Sequence, residues 1–386
     1  MTSGSSFSMH NVIAALSNNH NRLKQHLSIA VIHGGNKYDE GSCFYKTHNP
    51  RATKSYESVA QQIAEALRNA GYRHVITLPE NAQLLEQLHS HGIDIVFCNS
   101  GGLQGYNPMS HLPAILEMVG LPYVGHNPLN ATQLDNKHLF KQALTDLGIP
   151  TPTFLVCHNC NQSFEEFKAR IEQRFGQSNG PYIVKPTSGR ASIYVNYAKD
   201  INEAWLLTQE TIKKTSHTVL VEEYLPGREF VVAVGGPIVK NNNRLNALDT
   251  PFAFSVIERK LEDNEYVFTS MDKKAISSNR LVSVDNEELI QKINLLGQQV
   301  HAGLCLQGLV RVDIRMNANG QLSVMEANPK PDLTRPGPHK TSLVCHGLPK
   351  ERMSYEELIE SQLLNAISLR MKTLPDSMPH ICRLLH

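Results

Sequence analysis

Short apolar runs punctuated by glycine set the first rhythm of the chain. Leu27-Ser-Ile-Ala-Val-Ile32 leads to Gly34-Gly35, and a helical pattern then runs over 55–69 before Gly71. Further apolar runs follow at 74–78 and 93–98, the second reached through a helix that ends at His91-Gly92. Residues 112–119 and Leu121-Pro-Tyr-Val-Gly125 add another helix and strand. Short strands alternating with helices predict a parallel sheet with right-handed crossovers. Over 135–147 the pattern is again helical and carries two lysines, until Gly148-Ile-Pro-Thr-Pro152 stops it. Beyond that stop strands dominate, at 154–157, 182–185, 218–223, 230–234, 252–259, 309–314 and 322–326, with helices at about 163–174, 201–213, 286–303 and 354–371.

The last two strands carry the strongest chemistry. In Leu309-Val-Arg-Val-Asp-Ile-Arg-Met-Asn-Ala-Asn-Gly-Gln-Leu-Ser-Val-Met-Glu-Ala-Asn328, the dipeptide Asn319-Gly320 is a hairpin signal. Taken as a two-residue loop, it pairs positions whose numbers sum to 639, so Asp313 faces Glu326 and Arg311 faces Asn328. Alternation puts all four on one face. Opposed carboxylates repel unless one is protonated or a cation lies between them. A hard divalent cation held by carboxylate and amide oxygens, such as Mg²⁺ with substrate phosphates, resolves the conflict. The alternative at this point is a surface hairpin in which Arg311 neutralises a solvated acidic pair.

Two upstream segments fit a phosphate-bearing ligand. Pro181-Tyr-Ile-Val-Lys185-Pro-Thr-Ser-Gly-Arg-Ala-Ser192 is a strand that delivers a lysine into a Gly/Ser/Thr loop, although its spacing is not that of a Walker A motif. Backbone N–H groups of such a loop cap phosphates while the lysine supplies a point charge. Val219-Leu-Val-Glu-Glu-Tyr-Leu-Pro-Gly-Arg-Glu-Phe230 reads as strand, turn and strand, with Glu222 and Glu229 able to accept from a base and a ribose, or else to face solvent.

Composition narrows the field without naming a chemistry. A length of 386 residues gives two or three domains. Lys plus Arg total 37 against 36 for Asp plus Glu, so a formal charge of +1 offers no global field for nucleic acid or an anionic membrane. The hydrophobic fraction of 41% and charged fraction of 19% are ordinary for a globular chain, and no apolar run has membrane-spanning length. Seven scattered cysteines fit a reducing cytoplasm, and Cys157-His158-Asn159-Cys160 lacks the further ligands that zinc requires. Residues 1–26 are polar apart from a short run at 12–16, and read as a frayed extension or an added helix.

The order strand-Lys-Pro-loop, then VEEYLPGREF, then RVD and MEAN, resembles the ATP-grasp superfamily and, within it, the D-alanine–D-alanine ligase family, over about 27–372. His33-Gly34-Gly35, Gln104-Gly105, Leu116-Glu-Met-Val-Gly-Leu-Pro-Tyr-Val-Gly125 and Asp135-Asn-Lys137 support it. The resemblance implies a mixed α/β ATP-grasp fold: an extension over 1–26, a Rossmann-like substrate domain over 27–134, a central lid over 135–235 and a catalytic domain over 236–386. It implies that Lys137 and Lys185 contact ATP, that Glu222 meets the adenine edge, that Glu229 holds the ribose, and that Glu223 and Leu225 also belong to the nucleotide-binding set. Asp313, Glu326 and Asn328 would hold Mg²⁺, as two ions, with Mn²⁺ as a substitute. Arg311 would stabilise an acyl phosphate and the oxyanion that follows, with Ser192 in the catalytic network. A loop over 265–277 would close on the nucleotide, bringing Lys273 or Lys274 to the γ-phosphate. A homodimer is implied in the same way.

Departures from the family pattern bear on the substrate. Where the family has an acidic EHEVS segment after the first GG, this chain has an insertion with Lys37, Lys46, Arg51 and Lys54 against Asp39 and Glu40. It suits an anionic substrate, or else is a solvated loop. The paired serines of the phosphate loop are reduced to Ser192. The family's PGMT glycine corresponds to Asp332, an insertion brings Arg335 and His339, and Ser342-Leu343 is similar to the family's second-substrate SL pair. The implied activity is ATP-dependent joining of an amino acid's amine to an activated oxygen-bearing acceptor. Mycosporine-type ligases look similar in function, with D-alanine–D-alanine ligation and ATP binding without turnover as alternatives.

Overall fold

The computed structural model describes residues 9–35, 55–158, 162–176, 179–189, 192–262, 265–268, 280–337 and 342–385. The first sheet is parallel, in the spatial order His74–Glu80, Ser28–Gly34, Ile95–Cys98 and Tyr123–Val124. Its central strand is apolar and buried on both faces, as a sheet covered by crossover helices requires. The helix Glu57–Asn69 lays Val59, Ala60, Ile63, Ala64 and Leu67 against it. Residues ahead of the sheet form the helices Met9–Asn18 and His20–His26, which bury Val12, Leu16 and Leu23 in the same core as Ile381 and Leu385 of the C-terminal helix Pro379–Leu385. The frayed alternative is thereby set aside in favour of the added helix.

Two antiparallel sheets follow. One runs Phe154–Cys157, Val219–Glu223, Tyr182–Pro186, Asn196–Ala198, covered by the helices Phe164–Phe175 and Ile201–Thr215. The other runs Leu281–Ser283, Phe252–Arg259, Glu229–Gly235, Val310–Met316, Leu322–Asn328. The strand Glu229–Gly235 is central there, so the second strand of the VEEYLPGREF segment crosses into the sheet that holds the acidic hairpin. The helix Glu287–Gly303 packs on this sheet, and Gly297 lets it approach closely: a Cβ there would lie 2.9 Å from both Val232 and Val234.

Two local expectations change. The segment 135–147 is not one helix but the end of Pro128–Asp135 and the whole of Lys137–Asp146. Asn136 leaves helical backbone and its side chain accepts from the N–H of His138 and Leu139, the geometry of an N-cap. The acidic hairpin does pair Asp313 with Glu326 and Arg311 with Asn328, but beyond them Ile314 pairs with Val324 and Met316 with Leu322. The loop is therefore one residue longer than a two-residue turn, with Gly320 at φ 77° as such loops need, and a bulge at Met325 restores the expected pairing at the carboxylates.

Candidate active site

A cavity of about 540 Å³ is lined from the two antiparallel sheets and from the start of the helix Glu57–Asn69. On the central-sheet side, Lys185 stands near the end of its strand and Glu222 on the neighbouring one. The Lys185 ammonium lies 2.5 Å from Glu222 Oε1, and Lys141, from the helix Lys137–Asp146, lies 3.1 Å from Oε2. Burial opposes ionisation of Glu222, but Lys141 and then Lys185 outweigh it and hold the carboxyl below the usual range. Lys137 reaches Gly189 O of the phosphate-type loop at 3.2 Å and Glu326 Oε2 at 3.5 Å.

The hairpin forms the opposite wall. Arg311 grips Asp313 with two donors, at 2.7 and 3.1 Å. Arg259 bridges Asp313, at 3.0 Å, and Glu229, and Arg315 lies 3.4 Å from Glu229. Burial works against the charge of Glu326, yet Lys137, Lys185, Arg311 and Arg259 bring its carboxyl down to about 2. The repulsion between the opposed carboxylates is thus relieved by arginines and lysines, around an Asp313 that is buried rather than solvated. Burial opposes the charge on Arg259 as well, and Asp313 and Glu229 more than compensate, so its pKa is raised.

At the far end Tyr56, Lys330, Asp332, Thr334 and Leu343 line the cavity. Asp332 Oδ1 accepts from Thr334 N at 3.0 Å and from its hydroxyl at 2.8 Å. Asn328 Oδ1 accepts from Lys330 N at 3.0 Å, and the Lys330 ammonium sits 3.4 Å from the centre of the Tyr56 ring. Ser192 donates to Phe268 O at 3.2 Å, and the guanidinium groups of Arg259 and Arg280 lie 5.1 and 4.4 Å from the centre of the Phe268 ring.

Of the residues singled out in the sequence, Lys137, Lys185, Ser192, Glu222, Glu229, Arg311, Asp313, Glu326, Asn328, Asp332 and Leu343 line this one cavity. Glu223 is exposed at its strand end, Leu225 is buried, and neither contributes to the lining. Ser342 is buried beside Leu343 and accepts from Cys345 N. Arg335 pairs with Glu356 and stacks on Tyr355 instead of entering the cavity. Lys46, Arg51, Lys273 and Lys274 lie outside the described residues, as do Lys37, Lys54, Cys160 and His339.

The sequence reading missed Lys141, Arg259, Arg315 and Lys330. Two of them had a signal. Lys141 is four residues after Lys137 on a helix, and Arg315 is two after Asp313 on a strand, so each shares a face with a residue already chosen. Arg259 had none, because only the pairing of Arg259 with Glu229 across the sheet brings it in. For a metal, the described residues hold no group of three or more His, Cys, Asp or Glu side chains. The oxygen donors of the hairpin are the carboxylate of Asp313, held here by Arg311 and Arg259, the carboxylate of Glu326 and the amide of Asn328, an all-oxygen set of the kind a hard cation such as Mg²⁺ takes. No helix among the described residues is long and apolar enough to cross a membrane.

Comparison with known proteins points to one family. The family model described as D-ala D-ala ligase C-terminus matches residues 143–365, more than half of the chain. The uncharacterized protein y4sG of Sinorhizobium fredii is 27% identical over 245 residues, 62% of this chain and 66% of that protein. The D-alanine–D-alanine ligase of a Marinomonas species is 30% identical over 313 residues, 79% of this chain and 88% of its own length. The crystal structure of D-alanine–D-alanine ligase from Bacillus anthracis complexed with ATP superposes with a TM-score of 0.65 at 21% identity, covering 90% of this chain and 99% of that one, a likeness of fold. The chain belongs to the D-alanine–D-alanine ligase family and is an ATP-dependent, ADP-forming ligase with the ATP-grasp fold.

Proposed function

We propose that this ligase phosphorylates a carboxylate or vinylogous enol oxygen of an anionic acceptor and joins the activated carbon to the amine of a small amino acid, releasing ADP and phosphate. The observation that carries the reading is the meeting, in one cavity, of Lys137 and Lys185 with an arginine bound two-pronged to the hairpin carboxylate, Arg311 on Asp313. Plain nucleotide binding has no use for such an arginine at the reacting end. Lys137 and Lys185 face the phosphates, Glu229 the ribose, and Glu222 with the neighbouring strand end the adenine. Arg311 stabilises charge on the acceptor oxygen as it takes the phosphoryl group and on the oxyanion formed when the amine attacks. Asp313, Glu326 and Asn328 are the residues that would hold Mg²⁺, which neutralises phosphate charge during the transfer. Phe268 and Ser192, joined in the cavity lining, help keep water from the activated acceptor.

For the acceptor, the reading is a cyclohexenone bearing a glycine carboxylate, mycosporine-glycine, condensed with serine or threonine to an imine. Lys330 beside Tyr56 supports an anionic acceptor. The second reading, D-alanine–D-alanine ligation, is favoured by the relatives of that name, one of them matched over 79% of this chain. ADP release with product mass separates them. The account expects ADP only when mycosporine-glycine and serine or threonine are both supplied, with a product equal to their summed mass less one water. D-alanyl-D-alanine formed from D-alanine alone would establish the second reading, and ATP binding without ADP release from any pair would refute both.

A further inference from the structure

The helix Lys137–Asp146 sends two lysines toward the nucleotide side of the molecule, one turn apart on one face. Lys137 lines the cavity, whereas Lys141 lies behind the wall, with no exposed surface and no part in the lining. A buried ammonium is costly unless it is paired, and Lys141 has an ion-pair partner in Glu222 and a hydrogen-bond partner in Thr151. It lies 3.1 Å from Glu222 Oε2 and donates to the Thr151 hydroxyl at 2.7 Å, and that hydroxyl donates onward to Val324 O at 2.8 Å. Glu222 continues the line to Lys185, which does reach the cavity. A continuous buried path therefore runs from the lysine of the central sheet to the strand Leu322–Asn328, one residue before the Met325 bulge that turns Glu326 into the site.

We propose that Lys141 is a positioning residue for nucleotide binding: by sharing Glu222 it frees the ammonium of Lys185 for phosphate, and through Thr151 it fixes the central sheet against the acidic hairpin. The inference rests on the nucleotide reading of the cavity. With Lys141 present, one carboxylate is divided between two ammonium groups and the trio keeps a net positive charge. Without it, Glu222 is left to Lys185 alone, which then forms a closed neutral pair and presents little field to a ligand. Thr151 contributes geometry, since its hydroxyl ties Lys141 to Val324 O of the hairpin strand, beside the backbone hydrogen bond that Val324 N donates to Pro150 O at 2.8 Å.

The charged groups that face Lys141 are Glu222 from Val219–Glu223, Lys185 from Tyr182–Pro186 and, farther off, Glu326 from Leu322–Asn328. Burial is the largest influence on the Lys141 ammonium and pulls its pKa down to about 8, against the attraction of Glu222. Above that pH the wild-type chain loses the same charge that a substitution removes.

The test is ATP affinity, measured by calorimetry with Mg²⁺ from pH 6.5 to 9.5, on the full chain. Wild type is expected to bind at neutral pH and to weaken on the alkaline side. Lys141→Met is expected to bind about tenfold more weakly at pH 7 and to lack the alkaline limb. Thr151→Val keeps the lysine but removes a partner of its charged form, so its limb is expected at lower pH than in wild type. Lys141→Met binding within about twofold of wild type, or retaining the limb, would overturn the inference. If Lys141→Met does not fold, Thr151→Val decides, and a limb that stays in place overturns it. A wild-type chain that fails to bind ATP overturns the nucleotide reading itself, and with it this inference.

Discussion

Glu222 and Glu80 are both buried carboxyls, and what faces them decides their protonation. Two lysines hold Glu222 ionised, whereas Glu80, at the end of the strand His74–Glu80, has among the described residues a hydrogen bond from Ser100 to offset burial and no hydrogen-bond partner for its Oε2. Its pKa rises from 4.5 to about 7. The folded chain thus holds a proton that the unfolded chain releases between those values, so stability falls as pH rises through that window. The loss amounts to about 3 kcal/mol from this one group. Glu80→Gln should remove that slope, as seen by urea titrations at pH 5 and pH 8; a slope equal to wild type would contradict the account. Arg311→Ala belongs to the same scale. It should retain ATP binding and lose turnover by about a hundredfold or more, while Arg311→Lys, lacking the two-pronged geometry, should recover little of it. Unchanged turnover in Arg311→Ala would remove the role given to that arginine.

At the scale of elements, the hairpin shows both what can be read in a sequence and what cannot. Asp313, Glu326, Arg311 and Asn328 face one another as the alternation of polar and apolar residues requires. The longer loop and the bulge went unseen because they cancel: one residue added to the turn is matched by Met325 opposite Asp313, and neither alters the polar pattern. The break at Asn136 was legible in principle, since asparagine is an N-cap former, but the helical pattern on either side concealed it. The helix Tyr355–Thr373 is buried through Leu358, Ile359, Glu360, Ser361, Gln362, Leu363 and Leu364 in succession, so its position near the centre of the molecule leaves no amphipathic trace. The loop of the hairpin permits a clean test. Among the described residues nothing lies within 4 Å of where a Cβ on Gly320 would stand, and the φ of Gly320 is +77°. Gly320→Ala should therefore lower stability by about 1 kcal/mol through backbone strain alone and leave ATP affinity unchanged. A change in ATP affinity would mean that the loop communicates with the cavity.

For the molecule as a whole, the near-neutral total charge conceals how the parts are tied together. Glu360 accepts from Tyr72 beside the parallel sheet and pairs with His20 and Lys24 of the helix His20–His26 and with Lys240 of the strand Ile238–Asn241. Burial opposes its charge, but the hydrogen bonds from His20 and Lys240 prevail and bring it to about 2, so its contribution is present above pH 4.5 and lost as pH falls toward 2. Burial keeps His126 and His301 neutral, at about 3 and 4, where they bond Leu309 O and Gly308 O at the junction of the parallel sheet with the acidic-hairpin sheet. Unfolded histidine takes up a proton below about pH 6.5, so these groups also withdraw stability on the acid side. Glu360→Gln should cost roughly 3 kcal/mol at pH 7 and flatten the acid limb of the stability curve below pH 4.5. An unchanged acid limb in that variant would show that the cluster does not join the parts.

The central claim is that an acceptor oxygen is phosphorylated before the amine attacks. Oxygen-18 placed on that oxygen, in whichever of mycosporine-glycine and D-alanine supports ADP formation, follows it directly by mass spectrometry of the released phosphate. The account predicts one labelled oxygen in each phosphate formed with product. Unlabelled phosphate at full product yield would contradict it.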